Sequence, residues 1–339
     1  MKIQPKVVNE WGQLDTIIVG TVNKAQIPTI KDKSLRCIDY AHLSDEQFKQ
    51  IPTGVYPDQV LEETEEDLHN ISEILTKLGV NVIRPPEIYN STDRPFTDSY
   101  YDYCPRDPLL VVDCKVIKTP MALHQRRDEA DKYRDIFTPE SWVEFPTSLD
   151  DNNMYSVEDL SRPTLMDGPS PIFDAANILK ANYDLLYLVS NTGNLAGADL
   201  LESYLRENIS PEYNVHRVED VYAYIHIDTT FVLLREELVL CNPARVNKHN
   251  MPAFLRKWDR IWAPEPYPTQ VMEDWCPASP WLGMNILTIN ENLVMVEEHQ
   301  VSLMNLLSKY GIESIPVKLR HARTLSGGPH CITLDVIRK

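Results

Sequence analysis

An α/β fold of five repeated units closed around one axis is what the sequence predicts, and three observations predict it. Paired apolar runs separated by short turns recur along the chain, beginning near residues 109, 176, 230, 285 and 332. Helical stretches stand between several of them. The fifth pair runs out of chain after 332–337, and the N-terminal apolar run 16–19 supplies the strand that would complete it. A single such unit cannot bury its own face, so its recurrence points to units that cover one another in a ring.

In chain order, residues 11–20 read as a first strand ending in a glycine turn at Gly20. Residues 22–57 carry many loop formers and few periodic apolar positions, and are expected to be a long surface excursion. From Pro57 the pattern changes. Val60, Leu61, Leu68, Ile71, Ile74, Leu75 and Leu78 recur at helical spacing, with Pro57 in the first turn and Gly79 ending the helix. The opposite face, Glu62, Glu63, Glu65, Glu66 and Asp67, reads as solvated. A strand at 81–84 follows.

The hairpins come next. Residues 109–112 turn at Asp113-Cys114 into Val116-Ile117, and 230–234 turn at 235–237 into 238–240. Residues 285–289 turn at 290–292 into 293–296. A looser pair joins 176–179 to 184–189. Helices are expected at 200–207 and 301–310. The loop ahead of each hairpin carries polar groups: Asp107, Asp174, His226 with Asp228, Ser279, and Cys331. An aspartate before a strand is ordinarily a turn residue, and a lone histidine an ordinary core or surface one. Five such positions on one repeat would converge on a common centre.

Composition bounds the partners. The 339 residues carry a net charge of −17, which argues against nucleic acid or an anionic membrane and fits a cationic small substrate. No run reaches the length of a membrane span, and no signal-like apolar core opens the chain. Cys37, Cys104, Cys114, Cys241, Cys276 and Cys331 are scattered with no CxxC pair, so free thiols and a cytoplasmic location are expected. The nine histidines form no HxxxH or HxH pair, and no metal site is expected. A single domain over 1–339 is the expected organisation.

The chemistry rests on Gly327-Gly328-Pro329-His330-Cys331. Two glycines make a tight, ligand-accessible turn, and the cysteine stands at the mouth of a short strand. A buried structural cysteine is the plain alternative. Carboxylates at the base of a pocket suit a guanidinium, which they meet bidentately. A thiolate attacks an electrophilic carbon, a histidine moves protons to and from amines, and a carboxylate behind it fixes its tautomer. Together they describe attack on a guanidinium carbon through a covalent thiouronium.

Four motifs carry a family resemblance: Cys104-Pro105-Arg106-Asp107, Phe173-Asp174-Ala175-Ala176-Asn177, His226-Ile227-Asp228-Thr229-Thr230 and Gly327-Gly328-Pro329-His330-Cys331-Ile332-Thr333. The chain resembles the amidinotransferases of the pentein superfamily. Within them it is most similar to the inosamine-phosphate amidinotransferases of aminoglycoside pathways, and more distantly to glycine amidinotransferase. Likeness to the inosamine-phosphate enzymes extends to Asn9-Glu10-Trp11, 51–58, 61–66, 184–190 and 242–247. The resemblance implies a five-bladed pseudosymmetric α/β propeller of ββαβ-type units around a central active site.

It also implies roles. Cys331 would be the nucleophile, His226 the acid/base and Asp174 its orienting partner. Asp107 and Asp228 would hold the guanidinium, Arg245 the donor's carboxylate and Ser279 its α-amino end. Arg126 sits where the family has a site arginine. Ala223, Tyr224 and Ile225 depart from the glycine enzymes, which argues against glycine as acceptor. The implied reaction moves the amidino group of L-arginine to an acceptor amine, an aminocyclitol phosphate or another natural-product intermediate, by ping-pong chemistry. L-Ornithine is released and no cofactor is needed. A homodimer is the candidate assembly.

An arginine-deiminase-type hydrolase on the same fold, a glycine or amino-acid amidinotransferase, and a non-catalytic binding module are the alternatives. For a phosphate on the acceptor the sequence offers Arg126, Arg127 and Arg323, with Arg320 and His321 nearby.

Overall fold

The fold is that of a computed structural model, which describes every residue except Met1, Lys24, Ile30, 86–100, 147–153, 161–169, Tyr222, Tyr224 and 269–275. Among the described residues it contains five three-stranded sheets of one design. Each is an antiparallel strand pair, one strand of which also pairs in parallel with a third. The parallel strand requires a crossover, and each crossover carries a helix.

Leu109–Val112 and Lys115–Lys118 form the first hairpin, and Trp142–Glu144 adds to it after the 3-10 helix Glu129–Ile136. Ile178–Ala181, Asp184–Leu188 and Asn214–Val218 repeat the pattern around the α-helix Leu195–Asn208. Phe231–Arg235, Leu238–Cys241 and Asp259–Trp262 do so around the 3-10 helix Ala253–Lys257. Leu287–Asn290, Leu293–Glu297 and Glu313–Val317 do so around the α-helix Val301–Ser308. In the fifth sheet the chain's ends meet. Thr333–Arg338 pairs antiparallel with Leu14–Val19, which pairs in parallel with Asn81–Ile83 across the α-helix Asp58–Lys77. The expected completion of the last unit by the N-terminal strand is therefore present.

The first strands of the hairpins are buried almost throughout, as their unbroken apolar runs require. Three hairpin turns place a non-glycine residue in the left-handed region, at Asp113, Asn182 and Glu237 with φ of 50, 62 and 60°. Aspartate and asparagine tolerate that region better than most side chains.

Three expectations need correction. Residues 22–57 are not a surface excursion: they contain helices Lys33–Ile38 and Asp45–Gln50 and a strand pair of Gln26–Ile27 with Gly54–Val55. Leu35, Ile38, Tyr40, Phe48 and Tyr56 join Leu68, Ile71 and Leu75 in one core that also takes in Cys331. Each short element buries a few apolar residues in the same core as the long helix. The acidic face of that helix is not simply solvated. Asp67 is 1% exposed and accepts from Arg320 N and Nε at 2.8 and 3.0 Å, Glu63 meets His321 at 2.7 Å, and Glu65 pairs with Arg84. Pro57 is the residue before the first turn, at the N-cap, and donates no cap bond. All six cysteines are free thiols.

Candidate active site

The loops ahead of the five hairpins converge. Asp107 N donates to Cys104 O at 3.2 Å, and Ala175 N donates to Asp107 O at 2.8 Å, so adjacent loops are joined. Asp174 and His226 each occupy the N-cap of a one-turn 3-10 helix, Ala175–Asn177 and Ile227–Thr229. That fixes the backbone from which their side chains project. Cys331 lies two residues ahead of Thr333–Arg338 and is 4% exposed. A cavity of about 590 Å³ is lined by Cys331, His226, Asp228, Arg245, Ser279 and Asp39, among others. A smaller one of about 60 Å³ is lined by Asp107, Arg126 and three tyrosines, and Asp39 and His226 line both.

The two glycines before Cys331 serve close packing. A Cβ on Gly327 would stand 2.7 Å from Cys104 Sγ, and one on Gly328 would stand 2.7 Å from Asn285 Oδ1. Neither has a positive φ. The expectation of a turn made by glycine freedom gives way to one of space.

Cys331 Sγ is 3.3 Å from Asp228 Oδ2 and receives a hydrogen bond from Asn285 Nδ2 at 3.0 Å. A hydrogen bond with Cys104, then burial, then the Asp228 and Asp107 carboxylates push its pKa well above the ordinary thiol value. Asp228 in turn accepts from His330 Nδ1 at 2.9 Å. Burial works against its ionisation, but His330, His226 and Cys331 hold it down to about 2.

His226 Nε2 donates to Asp174 Oδ2 at 3.1 Å, and its Nδ1 lies 3.7 Å from Asp107 Oδ1. Burial, the largest single influence, opposes its charge. Asp107, Asp174 and Asp228 outweigh it and raise the imidazole to about 9. Asp174 is itself fixed by Ala122 N, which donates to Oδ1 at 3.0 Å. Carboxylate, imidazole and thiol thus stand around one cavity in an arrangement able to bind a cation, attack it and carry protons.

The remaining candidates fall into place as follows. Arg126 Nη1 donates to Asp107 Oδ2 at 2.8 Å, its Nε donates to Glu129, and its guanidinium stacks 4.9 Å from the Tyr101 ring centre. Arg245 donates to Thr229 Oγ1, Thr230 Oγ1 and Ser279 Oγ at 2.8, 3.0 and 2.8 Å, which presents it to the larger cavity. Ser279 is therefore an acceptor for Arg245. Ala223 and Ile225 line the cavity, whereas Tyr224 lies outside the described residues. Arg320 and His321, offered for a phosphate, are engaged by the helix Asp58–Lys77, and Arg127 donates to Met121 O.

Sequence reasoning missed two residues. Asn285 was expected to open a strand, but the strand begins at Leu287, and Asn285 points to Cys331. Its place ahead of a hairpin, where other units have aspartate, was the available signal. Asp39 sat in the segment expected to be surface and gave no periodic signal.

No protein-family model matches the chain. It is 45% identical to inosamine-phosphate amidinotransferase 1 of Streptomyces glaucescens, over 98% of this chain and 96% of that one. It is 30% identical to the mitochondrial glycine amidinotransferase of Gallus gallus, over 98% of this chain and 82% of the relative. Among solved structures, the inosamine-phosphate amidinotransferase StrB1 of Streptomyces griseus superposes with a TM-score of 0.89 at 41% identity, covering 99% of this chain and 97% of that one.

Proposed function

The chain belongs to the amidinotransferase family, together with the inosamine-phosphate amidinotransferases, and from that premise we propose how its site moves an amidino group from L-arginine to an acceptor amine. One arrangement carries the reading: Cys331, His226 and Asp228 line one cavity, Asp107 lines the adjoining one beside His226, and Asp174 stands behind His226.

Asp107 and Asp228 hold the guanidinium of arginine, with Arg245 at its carboxylate and Ser279 behind Arg245. Before arginine binds, Cys104, burial and the carboxylates disfavour the Cys331 thiolate. A guanidinium between those carboxylates cancels their repulsion and lets the thiol ionise. Sγ then bonds the guanidinium carbon and the bond to the side-chain nitrogen breaks, its electron pair staying on nitrogen. The thiol's proton and that of His226 end on this nitrogen, which leaves as the side-chain ammonium of ornithine. The amidino group remains on Cys331 as a thiouronium.

An acceptor ammonium reverses the course. It returns one proton to His226 and one to Sγ, bonds the amidino carbon and leaves as a guanidinium. Asp174 keeps His226 oriented in both halves. Five sheets of one design, with the loops ahead of them linked through Asp107, Asp174, His226, Ser279 and Cys331 around two adjoining cavities, support a five-bladed propeller. The names of the relatives support an inosamine phosphate, an aminocyclitol phosphate, as acceptor.

Incubation with L-arginine alone, then with an inosamine phosphate, tests this. Ornithine stoichiometric with enzyme, followed by turnover on adding acceptor, is expected. Rapid citrulline and ammonia from arginine alone would make the enzyme a hydrolase.

A further inference from the structure

Two charged side chains of opposite sign line the larger cavity without an ion-pair partner among the described residues. Asp39 is half-buried at the C-terminal end of helix Lys33–Ile38, where a carboxylate opposes the helix dipole. Its side chain enters no hydrogen bond or ion pair among the described residues. Burial raises its pKa to about 6, with Asp174 and Asp107 adding to the rise and Arg126 and His226 opposing it. In the adjoining small cavity Asp107, 3% exposed, leaves its Oδ1 without a hydrogen-bond donor.

Arg323 is the counterpart. It lines the cavity beside the Cys276 thiol, which donates to its carbonyl at 2.9 Å. Its Nε is buried and makes no hydrogen bond, its side chain reaches the Cys276 thiol, and it enters no ion pair among the described residues. The other arginines of the site are held already, Arg126 by Asp107 and Glu129 and Arg245 by Thr229, Thr230 and Ser279. Opposite charges on one cavity, unpaired with each other, suit a ligand that carries both signs.

We propose that Asp39 and Arg323 form the acceptor subsite, Asp39 holding the acceptor's ammonium and Arg323 a phosphate ester on the same molecule. This rests on the amidino-transfer reading. It brings the ammonium to a residue that shares both cavities with His226, which must receive its proton.

The experiment compares wild type, Asp39→Asn and Arg323→Met with three acceptors: an inosamine phosphate, the dephosphorylated inosamine, and hydroxylamine, which is uncharged at pH 8. Arg323→Met should raise KM for the phosphate ester by about tenfold or more and leave the other two acceptors as in wild type. Asp39→Asn should raise KM for both inosamines by a similar factor and spare hydroxylamine. Arginine's KM and the stoichiometric ornithine burst should be unchanged in both, and the burst also counts folded sites. A raised arginine KM would place these residues at the donor and overturn the proposal. So would equal effects of Arg323→Met on the two inosamines, or a wild type that uses hydroxylamine but not the phosphate ester. A wild type that forms no ornithine with any acceptor would overturn amidino transfer itself.

Discussion

Asn285 holds Cys331 from two sides: its Nδ2 donates to Sγ at 3.0 Å, and its Oδ1 accepts from the backbone N–H groups of His330 and Cys331 at 3.0 and 3.2 Å. One amide therefore sets the sulfur's position and offers a proton donor to the thiolate. Asn285→Asp reverses the second contribution by setting a negative charge beside the sulfur. Ornithine release in a single turnover should slow by about tenfold or more, and by less in Asn285→Ala. A wild-type rate in Asn285→Asp would show that this bond is idle.

His226 gives the pH dependence. Its folded value of about 9 lies above the ordinary imidazole value of about 6.5. A raised value means that the charge contributes stability in full below the unfolded value and loses it as pH rises through about 9. The same proton goes to the departing amine. Ornithine release should fall on the alkaline side as pH passes about 9, and melting temperature should fall with it. Asp174→Asn removes a carboxylate that sustains the charge and should move both declines to lower pH. A rate and a melting temperature that stay flat from pH 8 to 10 would contradict the assignment.

Asp107 and Asp228 are expected to dominate arginine affinity. On a Cys331→Ser background, which binds without turnover, Asp107→Asn and Asp228→Asn should each weaken arginine by about 1.5–3 kcal/mol in calorimetry. Unchanged affinity in both would mean that the cation is held elsewhere.

The strand behind Cys331 depends on a buried ion cluster. Arg106 donates to His330 O, Thr333 O and Asp335 at 2.8, 2.9 and 2.6 Å, and Glu10 bridges Lys180 at 2.7 Å. Burial works against Glu10's charge, but Lys180, His330 and Arg106 hold it below the usual carboxylate range. Arg106→Met leaves Asp335 with one fewer cation and takes a donor from the His330 and Thr333 carbonyls, at a cost of about 3–5 kcal/mol in urea unfolding. A loss under about 1 kcal/mol would mean that the cluster relaxes around the gap.

The hairpins were legible because their first strands are buried on both faces and so read as unbroken apolar runs. The loops ahead of them exposed Asp107, Asp174, His226, Asp228 and Cys331 to inspection. Apart from Asn81–Ile83, the third strands were not legible. Trp142–Glu144, Asp259–Trp262 and Glu313–Val317 are only partly buried, and their sequences show no clean alternation. Asn285 was taken into its strand because an apolar run follows it directly. Asp39 could not be found at all. Its segment folds by short elements resting on a distant helix, and nothing periodic in 22–57 encodes that contact. The same is true of Arg320 and His321, whose partners lie some 250 residues earlier.

The central claim is an amidino group carried on Cys331. Enzyme mixed with L-arginine and no acceptor, quenched in acid and digested, should show the mass of one added amidino group on the Cys331 peptide, absent from Cys331→Ser and lost on adding an acceptor amine. The same mass on Cys104 or Cys241, or an unmodified Cys331 in an enzyme that still forms ornithine, would contradict it.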